Sequence, residues 1–128
     1  MKTLTTNGIT IQVENHFLKE ESQPNEGRFC HAYRITILNE SSRTVQLMSR
    51  HWKIQDSNGS AREVKGDGVI GQQPTLMPGQ THQYVSWCPL ETDIGEMSGT
   101  YQMRDVNTEE VFEVVVPAFR LLYPPRQN

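Results

Sequence analysis

Cysteine is scarce in this chain: there are two in 128 residues, Cys30 and Cys88, too far apart in sequence to form a zinc or redox motif. A disulfide scaffold is therefore not what holds the fold. At this length one domain, residues 1–128, has enough chain for a single core without staples. A bridge between the two thiols would require neighbouring strands. Long apolar runs are missing as well. No segment approaches the length of a membrane span, and the opening Met-Lys-Thr-Leu-Thr-Thr-Asn-Gly carries a charge without the apolar stretch of a leader. These absences predict a cytoplasmic protein with reduced thiols and no membrane insertion. Basic clusters are also lacking: the net charge is −3 and Lys and Arg are scattered, so no stripe for nucleic acid is present. Nor do the histidines pair. His16, His31, His51 and His82 show no His-x-His spacing, and neither Glu20-Glu21 nor Glu109-Glu110 sits in a loop of carboxylates. No metal site and no cofactor are predicted.

Helical spacing of apolar residues is the next absence, and alternation takes its place. Ile9, Ile11 and Val13 point one way while Thr10, Gln12 and Glu14 point the other, the period of a half-buried strand. After the polar, turn-rich residues 18 to 27, Phe29, Tyr33, Ile35 and Ile37 keep one parity through Asn39. Between Thr44 and Gln55 the parity switches. Val45 and Leu47 are odd, Trp52 and Ile54 even, which predicts a bulge near Met48 to His51. Asp56-Ser57-Asn58-Gly59 is a hairpin signal toward Ala61 to Lys65. Pro78-Gly79 turns the chain into Thr81 to Cys88, where either Val85 and Trp87 or Tyr84, Ser86 and Cys88 face inward. Met97 to Arg104, Val111 to Val116 and Phe119 to Tyr123 supply the last strands before Pro124-Pro125. Seven or more short strands with Gly and Pro between them describe an all-β antiparallel sandwich, for which the spacing of Tyr101 favours an immunoglobulin-like version. Trp52 becomes its central aromatic. Tyr101, two residues before the apolar Met103, has the spacing of a tyrosine corner, whose hydroxyl bonds to nearby upstream backbone.

One local motif could carry chemistry: Gly66-Asp67-Gly68-Val69-Ile70-Gly71-Gln72-Gln73-Pro74, a Gly-x-Gly-x-x-Gly run. In a dinucleotide fold such glycines follow a buried strand and open a helix whose N-terminal amides hold a pyrophosphate. Here the preceding Ser60 to Lys65 is too polar for a central parallel strand, and Pro74 disfavours helix at Gln73. The run also lacks a phosphate-loop ending and carries Asp67, which repels phosphate. It reads as a loop whose glycines adopt positive φ or allow close backbone approach, with an anion nest of backbone amides as the chemical alternative. Arg50, two residues from Trp52, is placed to reach this loop, either bonding its carbonyls or facing an acidic or phosphate ligand. Ser49 and His51 lie two apart on one strand, but nothing in the sequence supplies an oxyanion hole or an orienting third group. No catalytic residue is assigned.

Several segments together resemble the ApaG domain family. They are Gly27-Arg28-Phe29 through Asn39-Glu40, Gln46-Leu47-Met48-Ser49-Arg50-His51-Trp52, the glycine run, Pro78-Gly79, Met97-Ser98-Gly99-Thr100-Tyr101-Gln102-Met103 and Pro117-Ala118-Phe119-Arg120-Leu121. The resemblance covers the chain nearly end to end and implies a fibronectin type III-like sandwich. It further implies an association with the diadenosine tetraphosphatase operon and a link to cobalt resistance and magnesium efflux. In eukaryotes similar domains are joined to F-box proteins and to a DNA polymerase δ-interacting protein, which points by association to protein binding. The expected function is a non-enzymatic module that binds an unidentified protein partner through loops at one sandwich end or an exposed edge strand. Gly66, Asp67, Gly68, Val69, Ile70, Gly71, Gln72 and Arg50 form its expected site. A phosphate-containing small molecule held by the Gly68 to Gly71 amides and Arg50, direct divalent metal binding, and homo-oligomerisation stay open.

Overall fold

The computed structural model describes residues 1–126. Nine strands run β1 (Lys2–Thr6), β2 (Ile9–Phe17), β3 (Phe29–Asn39), β4 (Val45–Asp56), β5 (Ala61–Asp67), β6 (Thr75–Leu76), β7 (Thr81–Leu90), β8 (Ile94–Asp105) and β9 (Val111–Leu122). Among the described residues the only helical elements are two short 3-10 turns, Pro24–Glu26 between β2 and β3 and Pro124–Arg126 after β9. One sheet has the order β1-β2-β3-β7 and the other β5-β4-β8-β9, with β6 pairing to β4, and every pairing is antiparallel. Among the described residues no helix is long and apolar enough to cross a membrane.

The two sheets bury their facing sides on each other. Ile9, Ile11, Val13, Tyr33, Ile35 and Ile37 from one meet Leu47, Trp52, Met97, Tyr101, Met103, Val114 and Leu121 from the other. The predicted parity switch on β4 is a register shift between Leu47 and Ser49, so Met48 is the extra residue that turns Arg50, Trp52 and Ile54 inward. A second shift lies between Met97 and Gly99 of β8, opposite Pro117-Ala118 of β9. It joins what the alternation divided into two strands, Val111 to Val116 and Phe119 to Tyr123. Buried parity passes from Val114 and Val116 to Phe119 and Leu121, and Pro117, which has no N–H for a ladder, sits at the irregularity.

One strand is not anticipated, one open choice is settled and one expectation is overturned. Strand β1 is not foreshadowed by alternation, because its side chains are almost all exposed and it exists through pairing with β2. Its signal is the Asn7-Gly8 turn, where both residues take positive φ, the pattern of a two-residue hairpin. On β7 the open choice of face resolves to Tyr84 and Cys88 inward, leaving Val85 and Trp87 exposed. Tyr101 is not a corner tyrosine. It is fully buried and its hydroxyl bonds to the Tyr84 hydroxyl from the opposite sheet, because the inward face of β7 brings that phenol within reach. Both cysteines are free and buried. Cys30 pairs with Pro89 and Cys88 with His31, so the thiols lie one register step apart on opposite faces of neighbouring strands.

Candidate binding site under the glycine hairpin

The bulge at Met48 sets up the site. Restored to even parity, Arg50 points inward opposite Gly66 of β5, and its guanidinium lies across that glycine. A Cβ at position 66 would come within 2.9 Å of Nη1, so the absence of a side chain makes room for the arginine. Nη1 donates to the carbonyls of Asp67 at 3.0 Å and Gly68 at 2.9 Å. Arg50 thus shapes the loop by bonding its carbonyls, the first of the two roles considered for it.

Beyond β5 the chain makes a miniature hairpin instead of a helix. Gly68 takes φ +63° and donates its N–H to the Met48 carbonyl, while Val69 and Gln72 exchange reciprocal backbone bonds around Ile70 and Gly71. Both of those central residues have positive φ, +47° and +72°, the type I′ arrangement that favours Asn-Gly. Isoleucine is a poor occupant of such a position, since its β-branch crowds the left-handed backbone. Val69 is buried in the core, yet Ile70 is 57% exposed. The base of the hairpin is stitched to the bulge: Gln73 Nε2 donates to the Met48 carbonyl at 2.9 Å, and Gln46 Nε2 to the Gln73 carbonyl at 3.1 Å. Asp67, whose carbonyl meets Arg50, pairs with Ser49 at the end of β5, and Gln72 closes the turn through its backbone.

The glycines of the run do different work. At Gly68 a Cβ would fall 2.2 Å from the Gln72 carbonyl oxygen, whereas at Gly71 it would meet nothing within 4 Å. We expect Gly68→Ala to destabilise the protein by about 2 kcal/mol, because backbone must move, and Gly71→Ala by about 1 kcal/mol from positive φ alone. Urea titrations of the two variants check the ordering. Equal losses would mean that the close approach at Gly68 does not constrain the loop.

Beneath the hairpin lies a cavity of about 240 Å³ lined by Tyr33, Arg50, Trp52, Asp67, Val69, Ile70, Gly71, Tyr84 and Ser86. Desolvation raises the Tyr33 and Tyr84 phenols above their ordinary range, so both stay neutral hydroxyls at physiological pH. Tyr33, Tyr84 and Ser86 were not readable as site residues from sequence, because β3 and β7 come to this point through long-range pairing. The Ile-Gly pair in place of Asn-Gly is the local signal that was available.

Other candidate chemistry is dispersed. Ser49 Oγ lies 3.5 Å from Gln102 Oε1, and His51 Nε2 is 2.8 Å from Glu63 Oε1, so the two neighbours use different partners. The hydrogen bond from His51 holds the Glu63 carboxyl below its usual range. His31 is buried with Nε2 unpartnered. Among the described residues no three of His, Cys, Asp or Glu gather as a metal-holding group. At the seam between the sheets Arg62 of β5 donates to the Pro89 carbonyl of β7. Burial pushes the neighbouring Cys88 thiol up.

This loop, with its bulged partner strand and buried Trp52, lies within the part of the chain that matches a known family. The ApaG domain profile covers residues 19–105. The chain belongs to the ApaG domain family. Over 128 residues it is 50% identical to Protein ApaG of Brucella anthropi and 47% identical to Protein ApaG of Brucella canis, spanning 100% of this chain and 98% of each relative. A crystal structure from Bordetella pertussis, described as that of an ApaA protein, superposes with a TM-score of 0.87 at 42% identity, covering 91% of this chain and 94% of that one. ApaG membership thus extends the family resemblance to full-length similarity and a shared sandwich.

Proposed function

We propose that the chain is a non-enzymatic binding module that engages a protein partner at the hairpin end of the sandwich, with Ile70 as the apolar anchor. One observation carries the reading. A β-branched residue held at positive φ and 57% exposed pays for no folding advantage, and strain of this kind concentrates where binding uses it. Trp87 and Val85 are also exposed, but on the face of β7 opposite the cavity-lining Tyr84 and Ser86, so they form an apolar surface separate from the hairpin.

The sheet order supports the finer fold assignment. The three strands β2-β3-β7 and the four strands β5-β4-β8-β9 follow the A-B-E and C′-C-F-G wiring of a fibronectin type III-like domain, with β1 added at one edge. We take the compartment to be the cytosol, in keeping with the two free cysteines. The cobalt and magnesium link implied by the resemblance would then act through the partner. A phosphate-containing small molecule is the rival reading, favoured by Arg50 in the cavity. Against it, the Gly68 and Val69 amides already donate to Met48 and Gln72, leaving fewer amides for a nest.

Ile70→Asn tests the proposal, because asparagine suits the left-handed backbone. We expect the thermal midpoint to hold or rise by a few degrees, in line with relief of about 1 kcal/mol. Proteins captured by the wild type from a lysate of the producing cells should be lost or markedly weakened with the variant. Equal capture by both proteins would refute a docking role for the hairpin.

A further inference from the structure

Arg50 has an unusual balance of partners. Both Nη1 protons go to loop carbonyls, while Nε and Nη2, which carry the other three donors of a guanidinium, bond to no described residue. Among the described residues no carboxylate pairs with it either, although Arg43, His51 and Arg104 all have acidic neighbours. A half-buried cation without a counter-ion therefore lines the cavity beside the Tyr33, Tyr84 and Ser86 hydroxyls.

We propose that this cavity receives the carboxylate of an aspartate or glutamate side chain from the protein partner, with Ile70 packing on an apolar neighbour of that acidic residue. The inference rests on the reading of the hairpin as the docking site and adds the chemistry of what docks. Geometry selects the ligand. With Nη1 committed to the loop, the remaining free edge of the guanidinium is the Nε and Nη2 pair, whose parallel N–H bonds match the two oxygens of a carboxylate. Charge ranks the candidates as well: Arg50 is the single Lys or Arg of the lining and Asp67 is also part of it, so a carboxylate at −1 meets less repulsion there than a phosphate near −2.

Gly66 is part of the device, since a side chain there would displace the guanidinium. The bonds from Nη1 then hold the fork in place before a ligand arrives, which lowers the ordering cost of binding.

The test is an NMR titration of the 15N-labelled full chain, following Arg50 Nε–H and the Gly71 and Ser86 amides. The probes are N-acetyl-aspartate methylamide, its neutral asparagine counterpart and inorganic phosphate. The aspartate probe should shift these signals saturably, and the asparagine probe should bind at least tenfold more weakly. Arg50→Gln should abolish the response; because that change also loosens the loop, the three-probe comparison on the wild type is the decisive arm. Absence of a saturable aspartate response, equal shifts with asparagine, or tighter binding of phosphate would each overturn the proposal. Loss of partner capture in Ile70→Asn together with a silent aspartate titration would remove the carboxylate site and leave the docking reading standing. An aspartate response accompanied by unchanged capture in Ile70→Asn would instead overturn the partner assignment.

Discussion

Replacing Trp52 with alanine is expected to cost on the order of 3–5 kcal/mol of stability, the range for truncating a large buried aromatic. Trp52 is 3% exposed and sits between the sheets, with Tyr33, Tyr101 and Phe119 around it at ring separations of 5.5 to 6.2 Å. Two of these contacts, to Tyr101 and Phe119, are edge-to-face, the geometry in which the ring quadrupoles attract. The indole also covers Gly99, its register partner on β8, where a Cβ would come within 2.9 Å of the ring. Collapse into the vacated space would have to move strand backbone as well as side chains, so the cavity persists and its cost is retained. Trp87 supplies the internal control. It is 63% exposed, and its alanine variant should unfold within about 1 kcal/mol of the wild type. Urea midpoints of the two variants give the comparison, and a Trp52→Ala protein as stable as Trp87→Ala would show that the aromatic cluster is not the centre of the core.

The parts of this architecture that were legible in the sequence are those recorded locally. A change in apolar parity between Leu47 and Trp52 marks the Met48 bulge because a strand cannot switch its buried face without an extra residue. Pro74 and the polar run before Gly66 similarly ruled out a helix after the glycines, and the chain there is a hairpin. What was hidden depends on partners far away in the chain. The short, exposed β1 has no face to bury and owes its place to β2. The Tyr101 spacing suggested a backbone partner, but the bond goes to Tyr84, whose direction could not be read while both faces of β7 carried apolar residues. The cavity is similarly non-local. Its arginine comes from β4, its phenols from β3 and β7 and its roof from the loop after β5, so only the arginine and the roof were visible as candidates. The Ile-Gly tip departs from what its backbone prefers, and such local inconsistency is a recognised mark of a working surface.

Acidification should weaken the fold in a window set chiefly by His31, with a further contribution of the same sign from His82, whose partial burial also lowers its pKa. His31 is 1% exposed, packs against the edge of Phe17 and lies opposite Cys88 in register, and its Nε2 has no hydrogen-bond partner. Burial, with a smaller contribution from nearby His16, lowers its pKa from 6.5 to about 4. Protonation in place would create a cation with no acceptor at Nε2, so the folded state keeps the ring neutral while the unfolded chain takes up a proton below pH 6.5. This contribution to stability is fully present above pH 6.5 and is lost as the pH falls through 6.5 toward 4. Its size is about 2 kcal/mol by pH 5 and about 3 kcal/mol when the loss is complete. The depressed carboxyls of Asp105 and Glu63 act on the acid side of that window: their stabilisation is present above the ordinary carboxyl range and is lost as pH falls below it. His31→Leu, which places an apolar group in the same core position, should therefore flatten the stability profile between pH 6.5 and 5 while leaving the steeper decline below pH 4. Urea unfolding of both proteins at pH 7.5, 5.5 and 4.5 measures the difference. Parallel profiles for the two, or a His31 ring titrating near 6.5 by NMR, would show that the buried imidazole does not set the acid sensitivity of this domain.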